Sequence, residues 1–179
     1  YVTASHEVLP VYREYERFST TVVSAAVGPI TAHYLEALEN RLREIGFKGT
    51  LYMVQGGGLV QSVEESARRA VSLIGSGPAA APAGAIRLGQ CIGSNNLFSV
   101  DMGGTSYDVC LIRNGEIPTT DYNWVGDERV AMKMVDVPAV GAGGGSIAWI
   151  DSLGLLRVGP QSAGADPGPA CYGKGGTRP

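Results

Sequence analysis

Asp101-Met102-Gly103-Gly104-Thr105-Ser106-Tyr107-Asp108 separates two short apolar runs, Leu97 to Asp101 and Asp108 to Ile112. The runs predict two strands, and the glycine pair predicts a tight turn between them. Glycines let a backbone approach a ligand closely, and successive amide N–H groups in such a turn form a concave anion site. Thr105 and Ser106 add hydroxyls, while Asp101 and Asp108 bracket the turn at the strand ends. Amides for a phosphate, combined with carboxylates for a hydrated magnesium ion, suit nucleotide hydrolysis, because magnesium prefers oxygen ligands and keeps several waters. The same residue types also suit a plain hairpin whose aspartates accept backbone hydrogen bonds.

Downstream of this turn the strand-like pattern continues. Asn114-Gly115 is a favoured two-residue hairpin dipeptide, since both central positions need positive φ. It predicts that Glu116 to Tyr122 returns as a third strand, completing a β-meander. Further short strands are expected at Val130 to Val135, Ala139 to Val140, Ile147 to Ile150 and Leu155 to Val158. After Gly159 the prolines 160, 167, 169 and 179 stand among glycines and predict irregular loop. Upstream, the period is helical. Leu35, Leu38, Leu42 and Ile45 recur at three- and four-residue spacing, so a packing helix is expected from Thr31 to Ile45, with Pro29 in its first turn and Gly46 after its end. Thr50 to Val54 reads as a buried strand and Gly56-Gly57-Gly58 as a turn. Ser62-Val-Glu-Glu65 is a capping box opening a helix toward Ala70. Val71 to Ile74 is strand-like again, and Ser76-Gly77-Pro78 starts an alanine-rich helix ending near Leu88 and Gly89, complicated by Pro82. No internal repeat stands out.

Other glycine clusters are weaker. Gly141-Ala142-Gly143-Gly144-Gly145-Ser146 approaches the dinucleotide fingerprint, but Ser146 stands at the third glycine and a strand follows in place of a long helix. Such a run could wrap a nucleotide's base or sugar, or serve as a tight crossing between packed strands. Gly168 to Gly175 satisfies G-x-x-x-x-G-K, yet Gly175 replaces the magnesium-binding Ser or Thr, and prolines replace the preceding strand, so a P-loop is rejected. Ser76 and Ser62 lack the nucleophile-elbow glycines. Cys91, Cys110 and Cys171 are expected to be structural, and His6, His33, Asp151 and Asp166 show no pattern that assigns them a ligand.

Composition excludes several partner classes. The chain has 179 residues, 44% of them hydrophobic, which suffices for a packed core. A net charge of -3, with no basic run longer than Arg68 and Arg69, argues against nucleic acid and anionic membrane. The uncharged, alanine-rich stretch Ala70 to Ile86 is shorter than the roughly 20 residues a membrane-spanning helix needs and contains prolines. Three scattered cysteines without a C-x-x-C pair fit a reduced, cytoplasmic setting. The abrupt ends at Tyr1 and Pro179 point to a portion of a longer polypeptide.

Five blocks in one order span nearly the whole chain: Glu14-Tyr-Glu-Arg17, Ser76-Gly-Pro-Ala-Ala80, Asp101-Met-Gly-Gly-Thr-Ser106, Gly141-Ala-Gly-Gly-Gly-Ser-Ile147, and Gly159-Pro-Gln-Ser-Ala-Gly-Ala-Asp-Pro-Gly-Pro-Ala-Cys-Tyr-Gly173. Together they resemble the hydantoinase A and oxoprolinase family, which includes ATP-dependent acetone and acetophenone carboxylase subunits. The resemblance implies an α/β fold: one lobe, residues 1–179, of an actin-like (ribonuclease H-like) ATPase, with a β-meander, flanking helices and an internal boundary near residues 90–96. In that fold two lobes clasp ATP, each with a phosphate loop. Residues 101–108 would be the second loop, and the first would lie outside this chain, leaving the chain inactive alone. Pro82 departs from the small or branched apolar residue common in the family, which implies a displaced helix start. The resemblance further implies that Gly103, Gly104, Thr105 and Ser106 bind ATP, with Gly143, Gly144 and Gly145 as neighbours of the nucleotide. Asp101 and Asp108 would be catalytic and would hold Mg2+ through water. The implied reaction phosphorylates a carbonyl oxygen of a cyclic amide, such as a hydantoin or 5-oxoproline, before hydrolysis. Ketone carboxylation with a similar ATP chemistry is the alternative, and a non-catalytic nucleotide-binding assembly subunit is a third reading. A hydantoinase B-type partner subunit is also implied.

Overall fold

The computed structural model describes residues 1–178. In chain order it contains α1 (Ser5–Val8), α2 (Glu14–Glu44), β1 (Tyr52–Val54), β2 (Val60–Ser62), α3 (Val63–Arg68), a 3-10 turn at Ala70–Leu73 and α4 (Ser76–Ile92). Then follow β3 (Leu97–Met102), β4 (Tyr107–Ile112), β5 (Thr119–Thr120), β6 (Asn123–Val125), β7 (Glu128–Val130), β8 (Met134–Val135), β9 (Ala139–Val140), β10 (Ser146–Ile150), β11 (Leu156–Ser162) and a 3-10 turn at Ala170–Tyr172. The chain divides into two compact units, one of residues 1–84 and 117–136, the other of residues 85–116 and 137–179. The first division falls inside α4.

The first unit is built around α2. This helix is 31 residues long and runs straight through Pro29, so the expected start near Thr31 is corrected to Glu14. Its buried face in the first half is Ser19, Thr20, Val23, Ser24 and Gly28, small and mostly polar, which hides the apolar period on which the shorter expectation rested. Tertiary packing on that face outweighs the N–H that Pro29 lacks. Val23 joins Val8, Val71 and Val130 in one buried cluster. Two of the polar residues beside it bond to β7 and the residue after it: the Ser19 hydroxyl donates to the Arg129 carbonyl at 2.7 Å, and the Ala131 N–H donates to Thr20 Oγ1 at 2.9 Å, while the buried Ser24 hydroxyl has no partner among the described residues. The end of α2 agrees with its expected glycine stop. Gly46 has φ of 85°, its N–H donates to the Arg43 carbonyl, and the Phe47 N–H donates to the Leu42 carbonyl, both at 2.9 Å. That is a Schellman motif.

Several short elements differ from expectation. β1 pairs antiparallel with β2, a strand the sequence did not reveal. Val71 to Ile74 is not a strand, because Ala70–Leu73 coils into a 3-10 turn whose Val71 fills the core. Ser62 does cap α3, accepting from the Glu65 N–H at 3.2 Å, but α3 stops at Arg68. Gly56-Gly57-Gly58 is the expected turn, here joining β1 to β2 with the Gly58 N–H donating to the Gln55 carbonyl at 2.9 Å, and it is tightly packed: a β-carbon at Gly56 would collide with the Ile74 carbonyl oxygen, and one at Gly57 would lie 3.0 Å from the Lys133 carbonyl oxygen. Val130 to Val135 is two strands, β7 paired with β6 and β8 paired with β5.

In the second unit, β3 and β4 form the expected antiparallel hairpin in continuous register, from Leu97 opposite Ile112 to Met102 opposite Tyr107. The third strand is β9, not residues 116–122. Asn114 and Gly115 do adopt positive φ, 54° and 76°, but the returning chain makes only a single bridge, Arg113 with Glu116, before it leaves. The meander is therefore a hairpin completed from a distant segment. α4 extends past Leu88 and Gly89 to Ile92, where Gly93 at φ of 69° ends it, and Pro82 is fully buried within it. β10 and β11 form a second hairpin, and β11 reaches Ser162, beyond the expected Val158 and into the stretch expected to be irregular loop.

Candidate functional site

The β3–β4 turn closes on a hydrogen bond from the Gly103 N–H to the Ser106 carbonyl at 3.0 Å. Two residues further along the ladder, Asp101 and Asp108 stand directly opposite each other. Alternation along the strands puts them on the face that carries buried Ser99, Cys110 and Ile112, which orients the carboxylates in common. Asp101 and residues 103–105 are exposed, while Ser106 and Asp108 are half-buried. The Ser106 hydroxyl lies 3.5 Å from Asp108 Oδ2.

β9 and the loop that follows it bring the second glycine cluster onto this turn. The Gly144 N–H donates to the Gly103 carbonyl at 2.9 Å and the Gly145 N–H to the Gly104 carbonyl at 3.0 Å. A β-carbon at Gly143 would lie 2.6 Å from the Thr105 nitrogen and 2.7 Å from the Gly104 carbonyl carbon, so only glycine permits this approach. The loop is braced from behind. Gly143 N–H donates to Ser146 Oγ at 3.0 Å, and the Gly145 carbonyl accepts from the Ala163 N–H at 2.7 Å and from the Ser162 hydroxyl at 3.1 Å.

This wiring divides the glycines into two kinds. The amides of Gly143, Gly144 and Gly145 are all used within the protein. Those of Gly104, Thr105 and Ser106 have no acceptor among the described residues. A run of three unpaired N–H groups on an exposed turn, with carboxylates at its base, can receive an anion whose charge a cation shares. Two opposed carboxylates are hard oxygen donors suited to a magnesium ion that retains water. Among the described residues no three His, Cys, Asp or Glu side chains converge into a direct metal site.

Residues 168–175 adopt no strand–loop–helix, only the short 3-10 turn at Ala170–Tyr172, in keeping with the rejected P-loop. Gly141 to Ser146 runs from one strand to another, as the weak dinucleotide match implied. His6, His33 and Asp166 are exposed, and Asp151 is taken up by its own hairpin. Ser146, Ser162 and Tyr172 are the residues around the turn that sequence reasoning did not single out. Their signal was position alone, since each lies within or beside a glycine-rich block.

The family model described as hydantoinase/oxoprolinase matches residues 17–179. The chain belongs to this family. It is 45% identical to the caprolactamase alpha subunit of Pseudomonas jessenii, covering 100% of this chain and 26% of that relative. The crystal structure of the ATP-dependent caprolactamase from Pseudomonas jessenii superposes with a TM-score of 0.77 at 42% identity, over 99% of this chain and 26% of the other. A nucleotide-free acetone carboxylase structure matches with a TM-score of 0.70 at 32% identity, over 98% of this chain and 24% of that one. The chain thus spans about a quarter of the length of these members. Its mixed helix and strand architecture is the one they share, consistent with the actin-like ATPase type of α/β fold.

Proposed function

We propose that this hydantoinase/oxoprolinase chain supplies a phosphate-binding turn to an ATP-dependent enzyme that opens a cyclic amide. The observation that carries the proposal is the turn at residues 103–106, where three consecutive N–H groups are open and Asp101 faces Asp108 at its base. The amides of Gly104, Thr105 and Ser106 would hold phosphate oxygens, with the Thr105 hydroxyl beside them. Gly143, Gly144 and Gly145 would lie behind the nucleotide's phosphates, fixing the turn through their bonds to Gly103 and Gly104. Asp101 and Asp108 would hold Mg2+ through water, and the ion would neutralise charge developing on the phosphate oxygens.

The chemistry follows from the stability of the amide bond. The carbonyl oxygen of the ring attacks the terminal phosphorus of ATP, the bond to the bridging oxygen breaks, and ADP departs with the electron pair. Water then adds to the activated carbon, and loss of phosphate and opening of the ring C–N bond leave a free amine and a carboxylate. Phosphoryl transfer asks mainly for positioning and charge stabilisation, which a fixed turn of amides and a metal ion can provide without a nucleophilic side chain.

An ATP-dependent caprolactamase among the relatives supports the cyclic amide, and the acetone carboxylase match supports a second reading in which a ketone enolate takes the phosphoryl group. The name of the caprolactamase relative, an alpha subunit, supports a partner subunit, for which a hydantoinase B-type chain is proposed. A cytoplasmic setting belongs to the same reading, supported by the exposed thiols Cys91 and Cys171.

The test is Asp108→Asn and Asp101→Asn in the full-length protein with its partner. Like charges opposed across a ladder are mutually destabilising, so either variant should melt no lower than the parent. Magnesium-dependent ATP turnover should nevertheless fall by about 100-fold, the scale on which a charge-stabilising group acts. Unchanged steady-state ATP kinetics in both variants would remove these carboxylates from the site.

A further inference from the structure

The Tyr172 side chain reaches back over Gly168 toward the two glycine turns. A β-carbon at Gly144 would lie 3.2 Å from its hydroxyl and one at Gly104 would lie 3.5 Å from it, so the phenol oxygen sits where the two turns meet. The ring is held from the other side by Gly168, whose β-carbon position falls 3.1 Å from Tyr172 Cε2 and whose φ is 74°. The 3-10 turn at Ala170–Tyr172, which carries the tyrosine, ends on Gly173 at φ of 68°. Yet the hydroxyl itself has no hydrogen-bond partner among the described residues. The tyrosine is 38% exposed, so the side chain is not sealed within the protein.

A packing role alone would be filled by phenylalanine. The hydroxyl instead places one unpaired O–H donor against Gly104, in the turn whose Gly104, Thr105 and Ser106 N–H groups are unpaired. We infer that Tyr172 is a ligand-binding residue whose hydroxyl donates a hydrogen bond to a phosphate oxygen of the nucleotide held on the 103–106 turn. This rests on the phosphate-binding reading of that turn and adds a side-chain donor to it. An O–H donor suits this place because it strengthens against an anionic oxygen, whereas an acidic or apolar residue there would repel or desolvate the phosphate.

The experiment compares Tyr172→Phe with the parent, each as the full-length protein with its partner, by calorimetric titration with ATP and separately with adenosine, in magnesium. Phe keeps the ring over Gly168, so the variant should melt at the parent temperature. Loss of a hydrogen bond to a charged group should weaken ATP binding by about 10-fold or more, and adenosine binding should not change. Parent-like ATP affinity in Tyr172→Phe would overturn the inference while leaving the turn's assignment intact. Equal losses for ATP and adenosine would also overturn it, because the hydroxyl would not then be acting on phosphate. Absence of ATP binding by the parent protein would instead overturn the phosphate-binding reading, and this inference with it.

Discussion

At the scale of single residues, the glycines around the turn separate by what surrounds them. Gly143 and Gly141 stand two positions apart in one run, but only Gly143 faces backbone, with the Thr105 nitrogen and the Gly104 carbonyl carbon within 2.7 Å of its β-carbon position. A β-carbon at Gly141 would meet nothing within 4 Å. Backbone cannot swing aside as a flexible side chain can, so Gly143→Ala should separate the two turns and cost about 1–3 kcal/mol of stability. Gly141→Ala should stay within about 0.5 kcal/mol of the parent. Chemical denaturation of both variants checks the pair, and equal stability would mean the loops are not in backbone contact. The sequence contained this distinction only in part. It showed two glycine clusters and allowed either to touch a nucleotide, but an amide's partner is a long-range property. That Gly144 and Gly145 spend their N–H groups on Gly103 and Gly104 could be learned only from the fold.

At the scale of elements, strong local codes were legible and cooperative ones were not. The Gly46 stop, the Ser62 cap, the β3–β4 hairpin and the Asn114-Gly115 turn each depend on a few neighbouring residues. The first half of α2 depends on hydrogen bonds that Ser19 and Thr20 exchange with the backbone of Arg129 and Ala131, and β9 finds β4 across 26 intervening residues, so neither has a local signature. The β10–β11 hairpin shows a local code of another kind. Asp151 accepts from the Leu153 and Leu155 N–H groups at 2.9 and 3.0 Å and from Arg157 Nε at 2.8 Å, closing the connection through Gly154 at φ of 78°. The bond from the Leu155 N–H and then that from Arg157 hold this carboxyl below its ordinary value of 3.8, against an opposing effect of burial, with the Leu153 N–H adding the weakest contribution. A carboxyl whose folded value is depressed stabilises the fold above its unfolded value, and that stabilisation is lost as pH falls through the folded value. Asp151→Asn should therefore lower the melting temperature at neutral pH and lower it progressively less below about pH 4. A deficit that persists undiminished in acid would show that the charge is not what closes this hairpin.

At the scale of the whole molecule, the chain covers about a quarter of the length of its relatives. A fold shared by an amide hydrolase and a ketone carboxylase cannot name the substrate, since function lives in the site grafted onto it. Under the proposed function the two reactions would share the transfer of a phosphoryl group to a carbonyl or enolate oxygen, the step the 103–106 turn is suited to. What separates them is the species that next meets the activated carbon: water for the amide, carboxylate carbon derived from bicarbonate for the enolate. The discriminating measurement is phosphate release by the full-length protein with its partner subunit, in magnesium and ATP, against lactams, hydantoins, 5-oxoproline and ketones, each with and without bicarbonate. The proposed hydrolase requires stimulation by a ring amide that is indifferent to bicarbonate, with one carboxylate formed per ring opened, together with one amine from a lactam or 5-oxoproline or one carbamoyl group from a hydantoin. Stimulation by a ketone only when bicarbonate is present would shift the assignment to the carboxylase and leave the turn's role unchanged, because both use it before their paths diverge. ATP binding without stimulated turnover by any compound would favour a nucleotide-binding assembly subunit, in which the turn retains its ligand while the transfer step is lost.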